Sequence, residues 1–282
     1  MYDAGCQCDA MALQRAVGEL RVDLRLRDGH TALEGLRQAG CLKARFPRPE
    51  DAGWLSVITL NTSGGIAGGD RLDSSFTMGT GARATIAAQA AERFYRALPG
   101  SAPSRVRTRI AVADGAAAEW LPQDTILFDR CVLDRELQVD LADSASFLGV
   151  ETLVFGRSAM GETVDQARLR DAISICRGGR LVLADAIRLD GNVNAVLRRP
   201  AIAAGAKAMA TLWYVARDAA AVLESLRAAF VAAHTVQCGA SAWDGMLVAR
   251  FLARDAASLR LPVVAALRAL RAGRSVPRVW LC

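Results

Sequence analysis

Histidine is the scarcest chemistry-bearing residue in this chain: among 282 residues there are two, His30 and His234. That excludes most catalytic designs built on imidazole. No HExxH pair is present for a zinc hydrolase, and no GxSxG elbow has a convincing histidine partner. Aromatic residues are also few, at 6%, so the core has to be built mostly from Ala, Val, Leu and Ile. Lysine is nearly missing, Lys43 and Lys207 alone, so arginine carries the basic charge. No apolar run reaches the roughly 18 residues of a membrane-spanning helix. The best candidate, residues 201–216, is broken by Lys207. The opening Met1-Tyr2-Asp3-Ala4-Gly5-Cys6 has neither a basic nor an apolar targeting region, so a cytoplasmic setting is expected. Seven cysteines, an odd number, read as reduced thiols and not as a disulfide framework. Cys6-Gln7-Cys8 supplies at most two of four metal ligands and reads as a pair of free thiols.

What is present is a globular balance of 52% apolar and 23% charged residues. The net charge of +6 is too mild and too scattered to argue for nucleic acid. Residues 1–16 read as a loose extension, and 17–282 as one domain. From Leu20 the chain alternates: Leu20, Val22, Leu24 and Leu26 are apolar, and Arg21, Asp23, Arg25 and Arg27 are charged. A period of two means a strand with one wet face. Asp28-Gly29 then marks a hairpin. Similar strand patterns recur at hairpin spacing to residue 252, with Arg177-Gly178-Gly179-Arg180 as another strong turn. Helical spacing is confined to 218–233, with Asp218 as N-cap, and to 255–272, which contains Pro262. An Ala-rich helix candidate covers 87–98. No alternation of strand and helix is visible, which disfavours a Rossmann sheet.

The most unusual segment is Gly64-Gly65-Ile66-Ala67-Gly68-Gly69-Asp70-Arg71-Leu72. It lacks the GK[ST] of a phosphate loop and the GxGxxG of a dinucleotide site, and a strand follows where either would need a helix. Four glycines give the backbone freedom for a tight corner or a close approach. The segment resembles the GG-x-x-GGD-x-L signature of the urease accessory protein UreD (UreH) family. Other landmarks follow in the family's order: Gln89-Ala90-Ala91 with Phe94-Tyr95-Arg96, Glu119-Trp120-Leu121-Pro122-Gln123-Asp124, Phe155-Gly156-Arg157 to Gly161-Glu162, and Pro277-Arg278-Val279-Trp280. Asn61-Thr62-Ser63 stands where the family often has a His-Pro pair.

The resemblance implies a mainly β, stacked-sheet or β-helical body with two α-helices towards the C-terminus. It implies no catalytic residues and no tightly bound cofactor. It implies binding to apo-urease in a hetero-oligomeric complex with UreF-like and UreG-like partners, with nickel in transit and GTP used only by the UreG-like partner. Asp70, Glu119, Asp124 and Glu162, carboxylates in the matched motifs, are the candidate nickel-path ligands. Gly64, Gly65, Gly68, Gly69, Tyr95, Trp120 and Trp280 are the candidate interface residues. Two alternatives stand beside this: a pure scaffold with no nickel passage, and a small-anion module using the Gly loop with Arg71 and Arg83.

Overall fold

The computed structural model describes residues 14–48, 51–157, 160–230 and 236–281. Most of the expected N-terminal extension, with Cys6 and Cys8, lies outside the described residues, as does His234. Ala16, counted in that extension, is bonded into the body. Its N–H donates to Asp70 Oδ1 at 2.8 Å, and its carbonyl accepts from the Arg71 N–H at 3.0 Å.

The period-two alternation folds into two stacked sheets. Strands β1 (Val17–Arg27) and β2 (His30–Gly40) pair antiparallel across Asp28-Gly29, where both residues take positive φ as the tight hairpin turn demands. Strand β3 (Leu42–Arg45) crosses to the second sheet and pairs with β4 (Leu55–Asn61). The chain then winds between the sheets. β5 (Arg71–Met78) enters the first, β6 (Arg83–Ala88) the second, followed after the short β7 (Glu92–Phe94) by β8 (Ser104–Val112) in the first. β9 (Ala117–Leu121) and the short β10 (Thr125–Leu127) return to the second, β11 (Val132–Leu141) to the first, and β12 (Ser146–Phe155) to the second. β13 (Gln166–Arg177) closes the winding in the first sheet.

Neighbours β1, β5, β8, β11 and β13 are parallel, and so are β4, β6, β9 and β12. Parallel strands need a long crossover, normally a helix. Here the crossover is a strand of the facing sheet, so the body is a two-faced β-helix. This agrees with the expected stacked, β-helical architecture. A hairpin from β13 to β14 (Arg180–Asn192) ends the first sheet. Strands β15 (Ala208–Val215), β16 (Gln237–Trp243) and β17 (Met246–Ala253) extend the second antiparallel beyond β12.

Among the described residues there are three α-helices: α1 (Val193–Leu197), α2 (Leu223–Phe230) and α3 (Ala256–Leu270). The last two match the expected pair and lie on the outer side of the second sheet. The Asp255 carboxylate caps α3 by accepting from the Ser258 N–H at 2.8 Å. Helix α3 starts at Ala256 and runs through Pro262. Asp218 does not cap α2, because α2 begins five residues later and the Asp218 carboxylate instead accepts from the Tyr214 hydroxyl at 2.8 Å. The helix expected over 87–98 is also corrected. Ala87 and Ala88 finish β6, and Glu92–Phe94 form β7. Open ladder edges on β4, β9 and β10 outweigh the helix propensity of alanine there. No described helix is long and apolar enough to cross a membrane.

The layering gives two cores. Inward residues of both sheets, such as Val22, Phe76, Ile110, Ile86 and Phe147, fill the first. Residues on the other face of the second sheet, such as Leu121, Leu148 and Leu212, pack against Leu226 of α2 and Leu259, Val263 and Leu267 of α3. A residue's parity along a second-sheet strand thus decides which core it joins.

Candidate functional site

The second sheet is interrupted at one level in three successive coils. β4 gives way to residues 62–65, β6 to 89–91, and β9 to 122–124, before pairing resumes at Ile66, β7 and β10. Pro122 has no N–H to donate and helps stop the β9 ladder. Strand β12 runs straight through: Ser146–Gly149 pair with β9 and Leu153–Phe155 with β10, leaving Val150–Thr152 without a partner on that side. Behind this jog, between the sheets, lies a cavity of about 240 Å³.

Polar side chains from both sheets meet in its walls. Arg135, on the inner face of β11, forks onto Asp171 with Nε–Oδ1 at 2.8 Å and Nη2–Oδ2 at 2.6 Å. Its Nη1 donates to the Thr125 hydroxyl at 2.8 Å and lies 2.7 Å from Glu151 Oε2. Glu151 Oε1 accepts from the Trp120 indole at 2.8 Å, while Oε2 takes no well-angled hydrogen bond. Burial pushes the Glu151 carboxyl up, against the pull of Arg135. Burial opposes the Arg135 charge, but Asp171 and Glu151 outweigh it and hold the guanidinium protonated. Across the cavity the Glu92 carboxylate accepts from the Asn61 amide at 3.3 and 3.2 Å. Burial pushes Glu92 up as well. One buried cation thus faces three carboxylates, Glu92, Glu151 and Asp171.

The glycine segment forms a corner beside this cavity. The buried Asp70 carboxylate ties it, accepting from Ala16 N–H at 2.8 Å and Ala67 N–H at 2.7 Å. Gly65 sits at φ +147°, and a Cβ there would stand 2.3 Å from the Tyr95 ring. The Tyr95 hydroxyl donates to the Gly64 carbonyl at 2.9 Å, and its ring meets Phe128 edge-on. Gly68 is packed against Ala97 and Ser101, with no room for a side chain. The corner is an internal joint: Gly65 and Gly68 are buried and Gly64 is exposed. Arg83 opens β6, at the far end of β5 from the corner, so the structure does not bring it to the loop as the anion alternative required.

The four carboxylates singled out from sequence do not converge. Asp70 holds the corner. Glu119 points away from the cavity, under α3. There it accepts from the Thr85 hydroxyl at 2.6 Å, from Arg271 Nε at 3.1 and 3.0 Å, and from Arg274 Nη2. Both arginines also reach Asp51, at 3.6 and 3.3 Å, and the Arg274 guanidinium lies 3.8 Å over the Trp54 ring. Asp124 lies in the β9–β10 break, where burial pushes its carboxyl up and Arg260 pulls it down. Glu162 pairs with Arg157 at 2.7 Å. Among the described residues, no three or more His, Cys, Asp or Glu gather to hold a metal. Trp280 is 3% exposed and its indole donates to the Leu121 carbonyl at 3.0 Å, so it anchors the chain's own core and is no surface contact. Trp120 likewise faces inward, against Phe76. Arg135 and Glu92 were not singled out from sequence. Arg135 carried a signal, a charge at an apolar-parity position of the Leu133, Leu137, Val139 alternation.

The family model described as UreD urease accessory protein matches residues 16–281. The chain is 45% identical over 278 residues to urease accessory protein UreD 1 of Bradyrhizobium sp. (strain ORS 278), covering 99% of this chain and 98% of that one. It is 46% identical over 278 residues to urease accessory protein UreD 3 of Bradyrhizobium sp. (strain BTAi1), with the same coverage. It is 46% identical over 267 residues to urease accessory protein UreD of Rhizobium leguminosarum bv. trifolii (strain WSM2304), covering 95% and 96%. A match over nearly the whole length, on a fold of the expected kind, means that this chain belongs to the UreD family of urease accessory proteins.

Proposed function

We propose that this chain is a non-catalytic maturation factor that binds the urease apoprotein and, with UreF-like and UreG-like partners, enables nickel insertion. The proposed setting is the cytoplasm, and GTP hydrolysis belongs to the UreG-like partner. Nickel is cargo here. The observation that carries its passage through this chain is the interior cavity, where the Glu92 and Glu151 carboxylates line the wall beside the Arg135 guanidinium. That excess of negative charge in a poorly screened interior favours a divalent cation. Carboxylate oxygens hold such an ion less tightly than imidazole or thiolate, which suits a site that has to release it. Glu92 and Glu151 are therefore the pair to test. Glu92→Gln and Glu151→Gln are expected to assemble with apo-urease normally and to lower the nickel content of the urease recovered. Full nickel content in both variants would refute passage through the cavity.

The scaffold reading is favoured by a separate observation. Asp70, Glu119 and Glu162 are each engaged by backbone amides or arginines of this chain. Their replacement is expected to act through stability and not through metal transfer.

A further inference from the structure

Among the described residues no helix covers the outer face of the first sheet: α1, which touches β13 and β14, turns Val193 and Leu197 into the inter-sheet core, whereas α2 and α3 cover the outer face of the second sheet. Side chains on this naked face are set by strand parity. With Leu72, Leu133 and Leu169 turned inward, Arg71, Asp134, Arg168 and Arg170 turn outward. The registers then place Arg71, Arg105, Asp134, Arg170 and Arg188 side by side across five adjacent strands. Arg168, opposite Asp190, stands in the next row. Five arginines thus share two rows with two carboxylates.

Two of the neighbours within the band, Arg71 with Arg105 and Arg170 with Arg188, are like charges directly opposite each other, an arrangement that destabilises a sheet. The one carboxylate in the row is already drawn in. Asp134 accepts from Arg107 at 2.5 Å and from Arg170 at 2.9 Å. Burial pushes Asp134 up, but the two guanidiniums outweigh it and lower the carboxyl. Arg71, Arg105, Arg168 and Arg188 are exposed and make no ion pair with a described carboxylate. A fold gains nothing from such a row by itself.

We propose that this arginine band is a docking surface for a carboxylate-rich face of the urease apoprotein. The inference rests on the reading above that the chain binds urease, and adds where it does so. Charge complementarity favours this occupant: the band crosses five hydrogen-bonded strands and presents guanidiniums suited to forked contacts with carboxylates. An exposed electrostatic contact of this kind is screened by salt over a Debye length of about 8 Å at physiological ionic strength.

The test measures binding of the full-length chain to purified urease apoprotein at two salt concentrations. The variants are R71E/R105E/R188E, its milder form R71Q/R105Q/R188Q, and a control of equal charge change off this face, R83E/R217E/R254E. The expected result is wild-type binding that weakens with salt, a loss on the order of tenfold or more in the charge-reversal variant, a smaller loss in the glutamine variant, and near wild-type binding in the control. All four proteins should unfold at the same temperature. Wild-type affinity in both band variants would overturn the proposal while leaving urease binding intact. Equal loss in the control would overturn it in favour of overall charge. Failure of the wild-type chain to bind apo-urease would instead overturn the functional reading itself, and the docking surface with it.

Discussion

Removing the Glu119 carboxylate should unlock the C-terminal helix from the β-helix. In Glu119→Ala the Arg271 guanidinium, on a residue 3% exposed, loses its Nε and Nη2 contacts to Glu119. Its Nη1 already has no acceptor among the described residues. Breaking a buried ion pair from one side costs about 3–5 kcal/mol. The Thr85 hydroxyl also loses its acceptor, about 1 kcal/mol more. Arg274 is better exposed and keeps Asp51, so it adds little. A loss of about 4–6 kcal/mol is a large part of the roughly 5–15 kcal/mol that holds a domain folded. It should lower the unfolding temperature by roughly 8–24 °C. Urea and thermal unfolding of the wild type, Glu119→Ala and the double variant Glu119→Leu/Arg271→Met measure it. The double variant should recover much of the loss, because no uncompensated buried charge remains. A drop under about 1 kcal/mol in Glu119→Ala, or simple additivity in the double variant, would refute the clamp. Unchanged stability with lost nickel delivery would instead put Glu119 on the metal route.

Gly65→Ala should destabilise the fold by about 1–3 kcal/mol, because it combines an unfavourable φ with a clash against the Tyr95 ring; an unshifted urea midpoint would count against the corner's geometry. Glu92 should contribute a pH-dependent penalty. Its folded carboxyl is raised from 4.5 by burial, so the native state holds the proton longer and stability falls as pH rises from about that value through the folded pKa. Glu92→Gln should therefore be more stable than the wild type at neutral pH and lose that advantage in acid, and the reverse order in urea titrations would exclude the assignment. Cys131, 1% exposed with its thiol pushed up to about 12 by burial, should resist iodoacetamide in the native protein and react once unfolded. Peptide mapping by mass spectrometry reads this directly, and native labelling of Cys131 would contradict its burial.

The strands of the first sheet were legible because their outer face is wet. β1, with Leu20, Val22 and Leu24 against Arg21, Asp23 and Arg25, shows its period without help. β9 and β16 show no clear strand period in sequence, for opposite reasons. β9 is covered on both faces, by the inter-sheet core and by α3, so no alternation survives; β16 is an edge strand of small residues such as Gly239, Ala240 and Ala242. The parallel coiling was not derivable from periodicity, since the same alternation serves an antiparallel sandwich; only family resemblance pointed to it. For the site, motif resemblance found residues that the chain needs structurally, such as Asp70 and Glu119. The cavity's own charges come from β7, β11 and β12, which are distant in sequence and meet only through the winding. Glu92 sits within a matched stretch, but nothing local says that it is buried.

Arg274 and Asp51 are joined across almost the whole chain, and this orders events during synthesis. The β-helix is made from its first coil onward, and each coil finds its neighbour already present. Helix α3 and the two arginines that follow it, made after every strand, fasten the outer face of the second sheet to the loop ahead of β4. Until then Leu121, Leu148 and Leu212 lack their helical cover. A nascent chain of this protein therefore carries an open apolar layer until α3 is made, and a chain that stops between β17 and α3 leaves that layer exposed to aggregation.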